Sequence, residues 1–119
     1  MKWLQRRKER LPVHPVEDEA NLEAALGTAR GVLYKHSPNC WSSAMAIRHI
    51  RAFMEAHPGI PVFMVDVIAK RSLSMDAADR LQIRHESPQA IAIVDGAVVW
   101  AGSHWEVTAE KLVAAIVAA

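Results

Sequence analysis

VLYKHSPNCWSS, residues 32–43, decides how the rest of the chain is read. It opens as an apolar strand (Val32, Leu33, Tyr34), crosses a polar turn from Lys35 to Asn39, and enters a segment with helical apolar spacing. The chain's one cysteine, Cys40, stands at that strand-to-helix junction. Amides in a helix's first turn lack intrahelical partners, and the helix dipole is positive there. Both effects favour a thiolate, so a thiol at this point ionises more readily. Ser43 comes one turn later, which sets its hydroxyl on the sulfur's side of the helix. Cys40-Trp41-Ser42-Ser43 therefore reads as C-x-x-S, a redox C-x-x-C whose second cysteine is replaced. The alternative is a structural cysteine packed as a small hydrophobe, and Cys40 alone does not separate the two.

The totals narrow the setting. A chain of 119 residues makes one domain with a proper core and is too short for two. Its 51% hydrophobic and 23% charged residues match an ordinary globular protein and argue against disorder. One cysteine excludes an intramolecular disulfide framework and any C-x-x-C zinc site. No apolar run reaches the roughly 18 residues a membrane span needs. The basic start leads into LPVHPVEDE rather than an apolar core, so no secretory signal is expected. The expected compartment is the reducing cytoplasm, where a lone thiol stays free.

Net charge is +1 but unevenly spread. Lys2, Arg6, Arg7, Lys8 and Arg10 against Glu9 give residues 1–10 a charge of +4, which leaves −3 for the remainder. Such an arm can touch nucleic acid or a membrane surface. No basic patch interleaved with aromatics lies beyond it, so neither partner is expected. The expected division is a basic arm over 1–12, a solvated first helix resting Trp3, Leu4 and Leu11 on a domain that spans 13–119.

Pro12 and Pro15 separate the arm from the first helix of the domain, around a short edge strand at Val13-His14. Glu17, Asp18 and Glu19 put negative charge at a helix start. Leu22, Ala25, Leu26 and Ala29 recur at helical spacing, with Gly27 or Gly31 as the stop. After the Cys40 turn, Ala46, Ile47, Ile50, Phe53 and Met54 form an inward stripe that ends at His57-Pro58-Gly59. Val62 to Val65, continuing to Ile68, is an apolar run suited to a central strand covered on both faces. Ser72 or Ser74 can cap a further helix carrying Leu73, Ala77, Ala78 and Leu81. Ala90–Val94 and Ala97–Trp100 flank Asp95-Gly96, a two-residue hairpin signal. Thr108 caps a last helix with the stripe Leu112, Val113, Ile116 and Val117.

The order α-β-α-β-α-β-β-α, with two strands joined right-handedly by a helix, is the connectivity of the thioredoxin fold. It predicts an α/β, four-stranded mixed sheet, a βαβ unit plus a C-terminal β-hairpin, with helices on both faces. Strands 32–36 and 62–67 should be parallel, and the 90–94/98–101 hairpin antiparallel.

KHSPNCWSS at 35–43, RHESPQ at 84–89 and WAGSHWEVT at 100–108 together resemble the monothiol bacilliredoxins, thioredoxin-fold proteins of the bacillithiol system. The resemblance runs in matching order over roughly residues 13–119. It implies a cytoplasmic thiol–disulfide oxidoreductase, with Cys40 as nucleophile, Ser43 at the replaced resolving position and Pro88 as the active-site cis-proline beside Ser87. The reaction implied removes a low-molecular-weight thiol, bacillithiol or a similar one, from S-thiolated proteins. That thiol is a co-substrate; no cofactor and no metal are implied, and the protein is expected to be a monomer. The family has threonine before its cysteine and proline after it, where this chain has Asn39 and Trp41, so Trp41 would shape the thiol-binding surface.

Beside Cys40, Ser43 and His36 are the candidates to support a thiolate. Lys35 reads as a solvated strand-end charge. His85 and His104 with Cys40 are metal-ligand types, but their spacing matches no ligand motif. His85, Glu86 and His104 are read instead as hydrogen-bonding residues that hold the loop before Pro88 and the segment after the hairpin. Trp100 and Trp105 read as packing anchors, and His14, His49 and His57 as solvated. Two other classes compete: a binding module that has lost catalysis, and a carrier of an iron–sulfur cluster using Cys40 and an external thiol. An unreactive Cys40 would favour the first, a coloured protein the second.

Overall fold

A computed structural model describes residues 11–117. Five strands form one mixed sheet: β1 (His14–Pro15), β2 (Arg30–His36), β3 (Val62–Asp66), β4 (Gln89–Val94) and β5 (Ala97–Ser103). Their spatial order is β1-β3-β2-β4-β5. The helices are α1 (Glu19–Leu26), α2 (Trp41–Ala56), α3 (Arg71–Leu81) and α4 (Ala109–Leu112), the last continuing as a π-helical turn at Val113–Val117. A 3-10 turn at His104–Glu106 joins β5 to α4.

β2 and β3 are parallel, with Tyr34 opposite Met64, and β2 pairs antiparallel with β4, with Tyr34 opposite Ala90. The β4–β5 hairpin is antiparallel, as expected. Asp95 (φ 49°) and Gly96 (φ 76°) both take the left-handed conformation that a two-residue primed turn demands. The count of four strands is corrected to five. The extra strand, β1, pairs parallel with β3 at the sheet edge, and the Val16 amide donates a hydrogen bond to the Met64 carbonyl. This strand lies one residue beyond the short edge strand expected at Val13-His14, which the count of four left out of the sheet.

Alternation along the strands sends successive side chains to opposite faces. Val32, Tyr34, Val62, Ala90 and Ala92 pack with Ala46, Ile50, Phe53 and Met54 of α2 and with Leu112 and Ile116. Leu33, Val65, Ile91 and Ile93 pack on the other face with Leu22, Ala25 and Leu26 of α1 and Ala77 of α3. Each fully buried Leu, Ile or Phe among them contributes about 1.5–3 kcal/mol. Leu11 packs against the first cluster; Trp3 and Leu4 of the basic arm lie outside the described residues.

Helix starts partly depart from expectation. Asp18 caps α1 by accepting the Asn21 amide at 2.8 Å, and Thr108 caps α4 by accepting that of Lys111 at 3.2 Å. α3 is not capped by Ser72 or Ser74: its cap position is Lys70, and Ser74 is fully buried. Strand β3 stops at Asp66, whose carboxylate accepts the amides of Ile68 and Ala69 at 2.9 and 3.0 Å. That carboxylate turns the chain into α3 and leaves Ile68 exposed instead of extending the strand.

Candidate active site

Cys40 is the N-cap of α2, with extended backbone (φ −102°, ψ 134°), and is partly exposed. Its thiol is held below the ordinary cysteine value, first by the Ser42 hydroxyl and then by the backbone amides of Ser42 and Ser43. Those two amides face the sulfur without closing a full capping hydrogen bond. Both belong to the helix's first turn, whose positive end favours a thiolate over a thiol, and that of Ser43 also donates to the Cys40 carbonyl at 3.1 Å.

The hydroxyl bonded to the sulfur belongs to Ser42: Cys40 Sγ and Ser42 Oγ are 3.1 Å apart. Helical spacing points to Ser43, but Cys40 is in extended backbone outside the helix, so the rule that relates residues three apart does not start from it. Ser43 is buried instead, accepts the Ser37 amide at 3.3 Å and hydrogen-bonds to the Tyr34 phenol. Its hydroxyl adds the smallest of the favourable contributions at the sulfur.

His104 joins three sequence segments at this point. Its backbone amide donates to the Pro88 carbonyl at 2.8 Å, and its Nδ1 lies 3.3 Å from Ser42 Oγ. Its own backbone is left-handed, φ 53°, a conformation that costs a non-glycine residue about 1–3 kcal/mol. Glu106 holds the preceding turn by accepting the Ser103 amide at 3.0 Å. Ser87–Pro88 is a cis peptide bond, and Pro88 is buried.

Below the thiol, fully buried Tyr34 shares a 3.0 Å hydrogen bond with His36 Nδ1. Burial pushes the Tyr34 phenol up and the His36 imidazole down, the latter opposed by nearby Asp66. His36 is therefore a neutral hydrogen-bonding partner of the phenol rather than a source of charge.

Lys35 is corrected: it is fully buried, not solvated. Alternation puts its side chain on the sheet face opposite Tyr34, where its ammonium lies 3.0 Å from His85 Nδ1. Burial alone brings the Lys35 amine down to about 8. His85 is lowered by burial and by the charges of Lys35 and Arg71, with Glu86 opposing. Gln89, opposite Lys35 in the β2–β4 register, donates its amide to the Arg84 carbonyl at 3.0 Å. Lys35 and Gln89 thus hold the 84–88 loop from beneath, and Glu86 takes part only through its charge.

Trp41, beside the thiol, is 75% exposed. Trp105 is 62% exposed and is no packing anchor, whereas Trp100 packs on the α2 face. The would-be Cβ of Gly102 falls on the Trp100 ring, so only glycine lets β5 pass there. His14 is exposed as expected, but His49 is half-buried and accepts the Ala109 amide at 3.2 Å, and His57 is half-buried against Phe53. Among the described residues no cluster of three His, Cys, Asp or Glu could hold a metal, and no helix is long and apolar enough to cross a membrane.

The residues that the sequence reading missed are Ser42, Tyr34 and Lys35. The extended cap position could have flagged Ser42. Strict alternation through Val32-Leu33-Tyr34-Lys35 could have flagged that one of the last two faces each layer.

The family described as monothiol bacilliredoxin BrxC matches residues 13–112. A solved protein described as a candidate oxidoreductase with a thioredoxin fold superposes with a TM-score of 0.80 at 26% identity, over 87% of this chain and 92% of its own. Mitochondrial thioredoxin 3 of Saccharomyces cerevisiae, in its oxidized form, superposes at 0.70 with 15% identity, over 91% and 96% of the two chains. Thioredoxin O2 of Arabidopsis thaliana gives 0.69 at 19%, over 87% and 92%. The last two show the fold alone.

Proposed function

Because the chain belongs to the monothiol bacilliredoxin family, we propose that it removes a low-molecular-weight thiol, bacillithiol, from protein mixed disulfides in the cytoplasm, working as a monomer. The Cys40 thiolate attacks the small thiol's sulfur. The S–S bond to the protein breaks, its electron pair leaves on the protein's sulfur, and that thiolate takes up a proton. Cys40 keeps the small thiol as a mixed disulfide, and a second small thiol frees it by the same exchange. With one cysteine in the chain, no intramolecular resolution competes.

The observation that carries this reading is the thiol itself. Cys40 is partly exposed, faces two first-turn helix amides and the Ser42 hydroxyl, and is shifted toward thiolate. Exchange needs a nucleophile of that kind with access to a disulfide. Ser87 and Pro88, tied to the Ser42 side of the thiol through His104, are proposed to line the surface that receives the substrate, with Trp41 at its edge.

Intact-mass spectrometry tests it. Incubation with a protein carrying bacillithiol in mixed disulfide should move that adduct onto Cys40, with a glutathione adduct moving more slowly. Cys40→Ser should take neither while keeping its unfolding midpoint, since a substitution at an exposed helix end costs about 0.5 kcal/mol or less. A donor that keeps its adduct in the presence of wild-type protein overturns the proposal.

A further inference from the structure

His104 is more elaborately placed than a loop-holding residue requires. Its backbone is forced into the left-handed region, its amide is anchored on Pro88, and its imidazole reaches Ser42 across 62 residues of sequence. The Ser42 oxygen then stands between two partners, Sγ at 3.1 Å and Nδ1 at 3.3 Å. A hydroxyl has one proton and two lone pairs, so it can accept from one neighbour while donating to the other.

We propose that Ser42 and His104 form a proton relay for Cys40: as the thiol proton passes to Ser42 Oγ, the Ser42 proton passes to His104 Nδ1. Before transfer, S–H donates to Oγ and O–H donates to Nδ1. Afterwards the imidazolium N–H donates to Oγ and O–H donates to the thiolate. One proton has moved from sulfur to nitrogen, and both hydrogen bonds have reversed. In the subsequent exchange the departing protein thiolate takes up one proton, so the cycle conserves the proton that Cys40 released. Ser42, which touches the reacting sulfur, is the catalytic hydroxyl. His104 acts through it as a positioning residue, exposed so that its proton can return to water. The relay rests on the exchange reading above and names what ionises its nucleophile.

Alkylation of Cys40 by iodoacetamide, followed against pH, tests it on the intact chain. His104→Gly removes the imidazole at a backbone position that glycine adopts freely, so the fold is kept. His104→Asn, also tolerant of that backbone, keeps a polar partner for Ser42 but cannot take up a proton. Each should raise the pH of half-reaction and slow alkylation at pH 7 by about tenfold, the effect of one unit on thiolate fraction. Ser42→Ala should do at least as much, and Ser42→Ala with His104→Gly should be no slower than Ser42→Ala alone, because the two act in series. An Asn variant that behaves as wild type reduces His104 to orienting Ser42 and overturns the relay. So does a wild-type profile in the Gly and Ala variants. A wild-type Cys40 that titrates like an ordinary thiol sinks the exchange reading as well.

Discussion

Tyr34 and Lys35 are neighbours in β2, both fully buried, and the sheet sends their polar ends to opposite layers. The Tyr34 phenol is neutral, hydrogen-bonded to His36 and to Ser43, and sits under the thiol. The Lys35 amine, in contrast, meets an imidazole of lowered basicity and no carboxylate among the described ion pairs. A neutral polar group buried with partners adds stability, while a buried cation without a counter-charge costs it. One strand end therefore carries a stabilising support for the thiol turn and a destabilising clasp on the loop that leads to Pro88. The clasp is retained, we infer, for position rather than for stability.

The sharpest way to break this comparison is Lys35→Met, which should raise stability at pH 7 by up to about 3 kcal/mol in chemical denaturation. The sign comes from the amine's folded value of about 8, below its usual 10.5. Between those values the unfolded chain binds more protons, so wild-type stability rises with pH and the advantage of Lys35→Met shrinks. A Met variant less stable than wild type at pH 7 would show that the ammonium has a counter-charge after all. Tyr34→Phe should have the opposite sign, a loss of about 1–2 kcal/mol, because His36 Nδ1 and the Ser43 hydroxyl lose a buried partner. If both substitutions destabilise, the two strand ends do not differ in kind.

The smallest effect is on the acid side. His85 faces Lys35, Arg71 and Glu86, and its folded value lies below the ordinary 6.5. As pH falls from 6.5 toward that lower folded value the unfolded chain takes up the proton first, so wild-type stability falls with it. His85→Gln, which keeps an acceptor for Lys35, should flatten that slope by about 1 kcal/mol or less, given the screening at a half-exposed site. His36, also lowered, leaves a residual slope. An unchanged slope in thermal melts between pH 5 and 7 would remove His85 from the clasp.

What the sequence by itself determined is the part of this protein written in local pattern. The element order, the Asp95-Gly96 turn, the inward stripe of α2 and the cysteine at a helix entry all come from periodicity and backbone sterics within a few residues. Pro88 and His104 were legible as marked positions through the resemblance of their segments, without a geometry. Tertiary structure decided that the short edge segment at His14–Pro15 joins the sheet as a fifth strand, because its partner β3 is reached only through packing. It also decided the burial of Lys35, which depends on the 84–88 loop closing over the strand end. Finally, it chose Ser42 over Ser43 and brought His104 to it. Local pattern reports which way a side chain leaves the backbone; what it meets there depends on surfaces that only packing brings together.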